Sequence, residues 1–469
     1  MKKIILLAIV LFITLLSCSK QEMNMEWISS SPANQWETKK VAIFKNNNIS
    51  DATIQIYPDK KQQVIDGFGG CFNELGWEAV HALVEVEQHK IFDSLFDIDK
   101  GCDFNIFRMP IGANDYAVDW YSHNEMVDDF EMINFSIDRD KLRLIPYIKK
   151  AQTYNSNIKI WASPWCPPSW MKSNNNYACN PDVVNDLQEE GKGKEMETQF
   201  RMDNKYLSAY ALYFSKFIKA YQKEGIDIYA VHVQNEPNSC QSFPSSVWSP
   251  SDLGIFIGNY LGPKFEADSL STEIWLGTIE RPQIERVDSV LSNPIAKKYI
   301  KGVGFQWAGK DAIPGVNKKY PELKLMQTET ECGDGSNNWA AAEHTFELMK
   351  HYFNNGANSY MYWNMVLNET GKSQWGWRQN SMITVDSKTK KVTYNPEFYL
   401  MKHFSNFIMQ GAVKIDTSDK NCLAFKNADS VIIIYYNSGN ATSKSFEIGN
   451  KQFSVQLSEK SFNTFKIIK

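Results

Sequence analysis

Eight short apolar runs, spread between about residue 61 and residue 365 and separated by stretches of helical periodicity, constrain this chain more than anything else in it. They read QVIDGFGG, FNIFRMP, IKIWASPW, IYAVHVQNEP, EIWLG, GVGFQW, LKLMQTE and SYMYWNM. The intervening segments repeat apolar residues at helical spacing. In NKYLSAYALYFSKFIKAYQKEG, Leu207, Tyr210, Tyr213, Phe214 and Phe217 fall on one face, and Gly225 supplies a stop. In WAAAEHTFELMKHYFNNG, Thr345, Leu348 and Tyr352 repeat in the same way before Gly356. Parallel strands require long crossovers, so eight strands alternating with helices predict an α/β fold of the (β/α)8 TIM-barrel type. A doubly wound open sheet is the alternative, usually with fewer strands and no ligand loop after each one.

The flanks have another rhythm. Beyond about residue 396 the chain turns to short strands with turn signals about every 8 to 12 residues, as in SVIIIYYNSGNATSKSFEIGNKQFSVQL, which predicts an antiparallel β-sandwich. KVAIFKN and ATIQIYP near the start read as strands too, and so few strands need a larger sheet to join. The expected organisation is a leader at 1–17, N-terminal strands of the sandwich within 19–60, a catalytic barrel at 61–395 and the rest of the sandwich at 396–469. No internal repeat is evident.

The first residues, MKKIILLAIVLFITLLSCSK, place two lysines before an apolar run from Ile4 to Leu16, too short for a comfortable membrane span and suited to a signal peptide. The sequence Leu15-Leu16-Ser17-Cys18 resembles a bacterial lipobox, which predicts lipidation of Cys18 and an extracytoplasmic protein tethered to the cell envelope. Seven further cysteines are scattered without a C-x-x-C pair, so a disulfide framework or structural zinc is not expected, although one isolated bridge is possible. The seven histidines show no metal-ligand spacing, and neither a metal nor a cofactor is expected. A net charge of −4 gives no sign of nucleic-acid binding. With 14 Trp and 21 Tyr in the chain, stacking on sugar faces is a reading that their placement must decide.

In a (β/α)8 barrel the chemistry sits at the C-terminal ends of the strands. The fourth run ends in Asn235-Glu236-Pro237, and the seventh ends in Thr328-Glu329. Two carboxyls at those positions face each other across the mouth. Glycosidic bond cleavage needs that pair, one carboxyl to protonate the leaving oxygen and one carboxylate to attack the anomeric carbon. Glu331 is the competing nucleophile, because residues two apart along a strand point to the same side.

These residues resemble glycoside hydrolase family 30, which includes glucosylceramidases and β-1,6-glucanases. The resemblance rests on IDGFGGCFNE, FRMPIGANDY, WASPWCPPSWMK, VHVQNEP, LMQTETECG, YWNMVLN and FYLMKHFSNFI, which stand in the family's order between about residues 60 and 410. It implies a retaining mechanism, with Glu236 as acid/base and Glu329 as nucleophile. It implies that Asn235 binds the 2-hydroxyl, that Arg108 holds the nucleophile ionised, and that Glu74 takes the far hydroxyls of the terminal sugar. Most relatives of the glucosylceramidase type carry Asp in place of Glu74. Trp165 and Trp363 fit sugar-stacking positions, and Trp307 stands where the glucosylceramidases have a tyrosine. Trp170 reads as packing, whereas Trp375, Trp377 and Asn380 belong to a loop expected to wall the cleft.

The substrate expected is β-1,6-glucan, on the likeness of FQWAGK and TECGDGSNNW to the glucanase branch. A glucosylceramidase-like β-glucosidase and a β-xylosidase or xylanase are the alternatives within the class. Outside it stands a catalytically inactive surface lipoprotein that only binds glycans. A monomer is expected.

Overall fold

The computed structural model describes residues 24–40 and 53–468. The leader, Cys18 and most of KVAIFKN lie outside the described residues. Eight parallel strands close into a barrel: Gly67–Cys71, Ile106–Pro110, Lys159–Ser163, Ile228–His232, Glu273–Ile279, Ile300–Gln306, Lys324–Glu329 and Ser359–Asn364. Each overlaps one of the eight apolar runs. Helices cover the outside, and on Asn204–Lys223 the predicted face of Leu207, Tyr210, Tyr213, Phe214 and Phe217 is buried.

Period-two alternation explains how the barrel interior becomes a platform. Ile106, Trp161, Ala230, Trp275, Met326 and Met361 form one apolar layer inside the barrel. Two residues further along the same strands stand Arg108, Ser163, His232, Gly277, Thr328 and Trp363. The apolar layer plugs the barrel, and the polar layer above it is the floor of the mouth. Close strand packing requires small residues at one point, because a Cβ on Gly69 would lie 1.8 Å from the Ile106 carbonyl oxygen.

The sandwich is one nine-stranded sheet folded over itself. Its strands come from Met25–Ser30, Glu37–Lys39, Thr53–Val64 and six segments after residue 412. Phe453 and Phe465 lie six strands apart in the sheet order, yet their rings are 5.3 Å apart across the fold. Pairing is antiparallel except where Thr442–Ile448 runs parallel to Thr53–Val64. Met25–Ser30 pairs with Glu37–Lys39 at one edge of this sheet. Trp27 and Ile28 anchor it, each in a different core.

Two details cross the boundaries expected from sequence. Thr53–Val64 runs past residue 60 into the barrel's approach, and helix Pro396–Ser405 packs against both the first barrel strand and the sheet. Its buried His403 joins sheet residues Thr464 (2.8 Å) and Ser30 (2.9 Å), and burial lowers its pKa to about 3.

Candidate active site

A cavity of about 440 Å³ opens at the C-terminal ends of the barrel strands, lined among others by Asp115, Trp165, Asn235, Glu236, Trp307 and Glu329. Gln306, at the end of the sixth strand, organises its floor. Its amide nitrogen donates to Glu236 Oε1 at 3.0 Å and to Glu329 Oε2 at 3.2 Å. Those two carboxylate oxygens are therefore separated by at most the sum of the two distances, 6.2 Å.

Arg108, fully buried at the end of the second strand, carries the fixed positive charge. It donates to Glu329 Oε2 at 2.9 Å, to Asn235 Oδ1 at 2.7 Å and to the Gln306 side-chain oxygen at 3.2 Å. Its guanidinium lies 4.3 Å from the Trp165 ring centroid and 5.1 Å from that of Trp363, and the two rings stack at 5.4 Å. Asn235 Oδ1 is also met by Thr278 at 3.0 Å, which leaves the Asn235 amide nitrogen for the cavity. The Trp307 indole donates to Glu329 Oε1 at 3.3 Å, and the ring is 37% exposed, enough to present a face.

Glu236 and Trp307 both have positive φ, 46° and 47°. An L-residue there costs of order 1 kcal/mol or more, held in place by the surrounding contacts. Glu236 N–H donates to the Thr278 carbonyl at 3.2 Å, and its Oε2 accepts from Gln241 at 3.3 Å.

Electrostatically, three buried carboxyls, Asp115, Glu236 and Glu329, surround one cation. Burial, followed by the neighbouring Glu236, pushes Asp115 up to about 7. Burial also pushes Glu329 up, against the pull of Arg108. Behind Glu236, burial and then that same glutamate's charge bring Glu280 to about 7. Asp115 and Glu280 therefore keep their protons towards the neutral range, while Arg108 favours the ionised form of Glu329, which it touches.

Glu236, Glu329, Arg108, Asn235, Trp165 and Trp307 come together here. Trp363 is buried in the layer of Arg108, stacked on Trp165, and Trp170 packs in the core with its N–H on the Asn124 carbonyl at 3.0 Å. Trp377 lines the cavity, whereas Trp375 is buried behind it. Glu331 points elsewhere. It pairs with Lys310 at 2.8 Å and His344 at 2.9 Å, which hold its carboxyl down to about 2.

Glu74 and Asn380 stand apart from the cavity. The chain enters helix Glu74–His81 directly after the first strand, so Glu74 turns away to accept from Val118 N–H (2.7 Å) and Arg139 (3.2 Å). Asn380 donates to Glu397 at 2.9 Å and accepts from Asn337 N–H, which braces the loop after the eighth strand. Asp115 and Gln306 are the residues that the sequence did not single out. Asp115 lines the cavity, and the buried Trp363 side chain beside its carboxyl favours the charged form. The signal for Gln306 was its place at the end of a barrel strand beside Trp307.

Known proteins carry the same frame. The chain is 30% identical over 417 residues to putative glucosylceramidase 1 of Caenorhabditis elegans, covering 83% of this chain and 77% of that protein. It is 25% identical over 426 residues to an endo-1,6-β-D-glucanase of Neurospora crassa, covering 84% and 83%. The solved structure of an endo-β1,6-glucanase superposes with a TM-score of 0.80 at 22% identity, over 95% of this chain and 99% of that one. The model of the glycosyl hydrolase family 30 TIM-barrel domain matches residues 65–408. That match runs the length of the barrel and takes in both carboxylates bridged by Gln306, so the chain belongs to glycosyl hydrolase family 30 and is a glycoside hydrolase.

Proposed function

We propose that this enzyme cleaves β-linked glucosides with retention of configuration, and that β-1,6-glucan is its substrate. The observation that carries the mechanism is the shared Gln306 amide. Glu236 Oε1 and Glu329 Oε2 lie no more than 6.2 Å apart, which supports the closer, retaining arrangement of about 5–5.5 Å between carboxyls over the inverting one of about 6.5–9.5 Å.

Glu329 attacks the anomeric carbon while Glu236 protonates the departing oxygen. The charge left on Glu236 then draws a proton from water, which attacks the glycosyl–Glu329 ester and restores both groups. Arg108 and the Trp307 indole hold Glu329 in line. The Asn235 amide nitrogen donates to the sugar 2-hydroxyl, a contact that strengthens as positive charge develops on the ring. Asp115 accepts from hydroxyls of the same sugar, and Trp377 walls the leaving-group side.

The glucanase reading draws on the relatives of that name and on the open cavity. A glucosylceramidase-like β-glucosidase is the second reading, favoured by the higher identity to the nematode protein. Incubation with β-1,6-glucan, other β-glucans, xylan and glucosylceramide separates them. Reducing sugar from β-1,6-glucan, first as the β-anomer by NMR, is the expected result. Inverted product would sink the mechanism, binding without hydrolysis would favour the inactive lipoprotein, and turnover of glucosylceramide alone would favour the second reading.

We place the enzyme as a monomer on the extracytoplasmic side of a bacterial envelope, tethered through Cys18. Radiolabelled palmitate should enter the protein and be lost with Cys18→Ser, and a labelled Cys18→Ser protein would contradict the anchor.

A further inference from the structure

Two cysteines outside the sugar-contacting cluster face each other beside the loop that carries Glu236. Between the third barrel strand and helix Asn204–Lys223 the chain makes a long excursion, residues 164–203, whose regular structure is limited to the 3-10 turns Ser169–Met171 and Glu189–Gly191. Polar contacts fix it to the acid/base loop. The Lys172 ammonium donates to the carbonyl oxygens of Tyr177 (3.2 Å), Ala178 (2.9 Å) and, from the loop after Glu236, Ser245 (2.7 Å). The backbone N–H of Cys179 donates to the Gln241 carbonyl at 2.9 Å.

This alignment sets Cys179 beside Cys240, because the Cys179 N–H reaches the carbonyl of Gln241, the residue that follows Cys240. Cys179 Sγ lies 2.6 Å from the Gln199 side-chain oxygen. A Cβ on Gly193 would come 2.7 Å from the Gln199 amide nitrogen and 2.9 Å from Cys240 Sγ, so a glycine lets the excursion close over the pair. Cys179 is buried and Cys240 half-buried, which gives an outside reagent access to one sulfur only. Lys172 Nζ stands 3.7 Å from Cys179 Sγ.

We propose that Cys179 and Cys240 are a modification site, a dithiol that closes to a reversible disulfide and straps the excursion to the acid/base loop. Backbone segments held side by side are the starting geometry that such a bond needs. Burial opposes charge on Cys179, yet the Cys240 hydrogen bond and Lys172 bring its pKa down to about 6, so the pair holds a thiolate at neutral pH.

The Cys179 thiolate takes the proton of Cys240, whose accessible sulfur attacks an external disulfide such as oxidised glutathione and expels one of its thiolates. The proton left on Cys179 passes to the departing thiolate. Cys179 then attacks the Cys240 sulfur and expels the second glutathione thiolate. Two protein sulfurs are oxidised and one external disulfide is reduced to two thiols. An enzyme exported from the cytoplasm meets such oxidants. The strap would hold Gln241, the neighbour of Cys240 that donates to Glu236.

The test is peptide mapping of the folded enzyme after exposure to oxidised glutathione, alkylation of the remaining thiols and digestion without reductant. The expected product joins Cys179 to Cys240, disappears with dithiothreitol and is absent from Cys240→Ala. The oxidised enzyme should also melt several degrees higher than the reduced one. Alkylation of both cysteines, a stable glutathione adduct on Cys240, or a bridge from either to another cysteine would overturn the proposal. So would a bridge that forms no faster in the folded enzyme than in urea, because the native pairing would then contribute nothing.

Discussion

Glu236 and Glu329, more than ninety residues apart in sequence, accept hydrogen bonds from one amide nitrogen, that of Gln306, at 3.0 and 3.2 Å. That shared donor brings one oxygen of each carboxylate, from different strand ends, within 6.2 Å of the other. It also makes the roles of the two glutamates separable by experiment.

Glu329→Gln and Glu236→Gln should each lower kcat by at least a thousandfold, about 4 kcal/mol of transition-state stabilisation. Their dependence on the leaving group should differ. On an aryl β-glucoside with an activated leaving group, Glu236→Gln should still release phenol in a burst, because that group needs little protonation. Glu331→Gln removes only the pairing with Lys310 and His344 and should keep near-normal turnover. Steady-state and burst kinetics on the three variants check this, and a Glu331→Gln as inactive as Glu329→Gln would move the nucleophile.

Arg108→Met should be the most destabilising single change at the site. It leaves Glu329 buried without its cation and strips a donor from Asn235 and Gln306. Breaking a buried pair from one side costs about 3–5 kcal/mol. Denaturant unfolding reads this directly, and an unfolding free energy within 1 kcal/mol of wild type, on the order of an ordinary surface substitution, would contradict it.

Stability should fall as pH rises from about 4.5 towards 8, and Glu397 should account for part of that slope. Its carboxyl is buried, accepts from Tyr362 (3.1 Å) and Asn380 (2.9 Å), and is pushed by burial from 4.5 to about 7. A carboxyl with a raised folded-state pKa favours folding most when protonated in both states, and that advantage is lost as pH climbs through the folded value. The shift corresponds to ~3 kcal/mol. Glu397→Gln should flatten the melting temperature between pH 4.5 and 8, and an unchanged slope would show that the group is already ionised.

Trp377→Ala should weaken longer substrates selectively. The ring lines the cavity and packs on Phe243 at 4.5 Å, on the side assigned above to the leaving group. KM for β-1,6-gluco-oligosaccharides should rise about tenfold, as loss of roughly 1.4 kcal/mol of contact implies, with aryl glucosides little affected. Equal losses on both would place the ring with the terminal sugar instead.

The barrel was legible because each strand is buried and so appears as an apolar run, and because a barrel delivers strand-end residues to one mouth. Glu236, Glu329, Arg108 and Asn235 follow from that rule. Glu74 shows where it fails: the helix begins at Glu74 itself and turns the carboxylate outward towards Val118 and Arg139. Asp115 lies five residues past its strand in irregular chain, where no periodicity reports orientation. Glu331 was ambiguous because period-two alternation holds only while the strand continues, and this strand ends at Glu329. Strand Met25–Ser30 is short and half polar, and only its pairing with the far C-terminus makes it a strand.

The most direct test of the mechanism is to trap the covalent intermediate. A 2-deoxy-2-fluoro-β-glucoside with an activated leaving group slows both steps but spares the first enough for the glycosyl-enzyme to accumulate. The intact mass should rise by one fluoroglucosyl unit, and peptide fragmentation should put that unit on Glu329. A label on Glu331 or Glu236, or none under conditions where the enzyme turns over β-glucosides, would contradict the account.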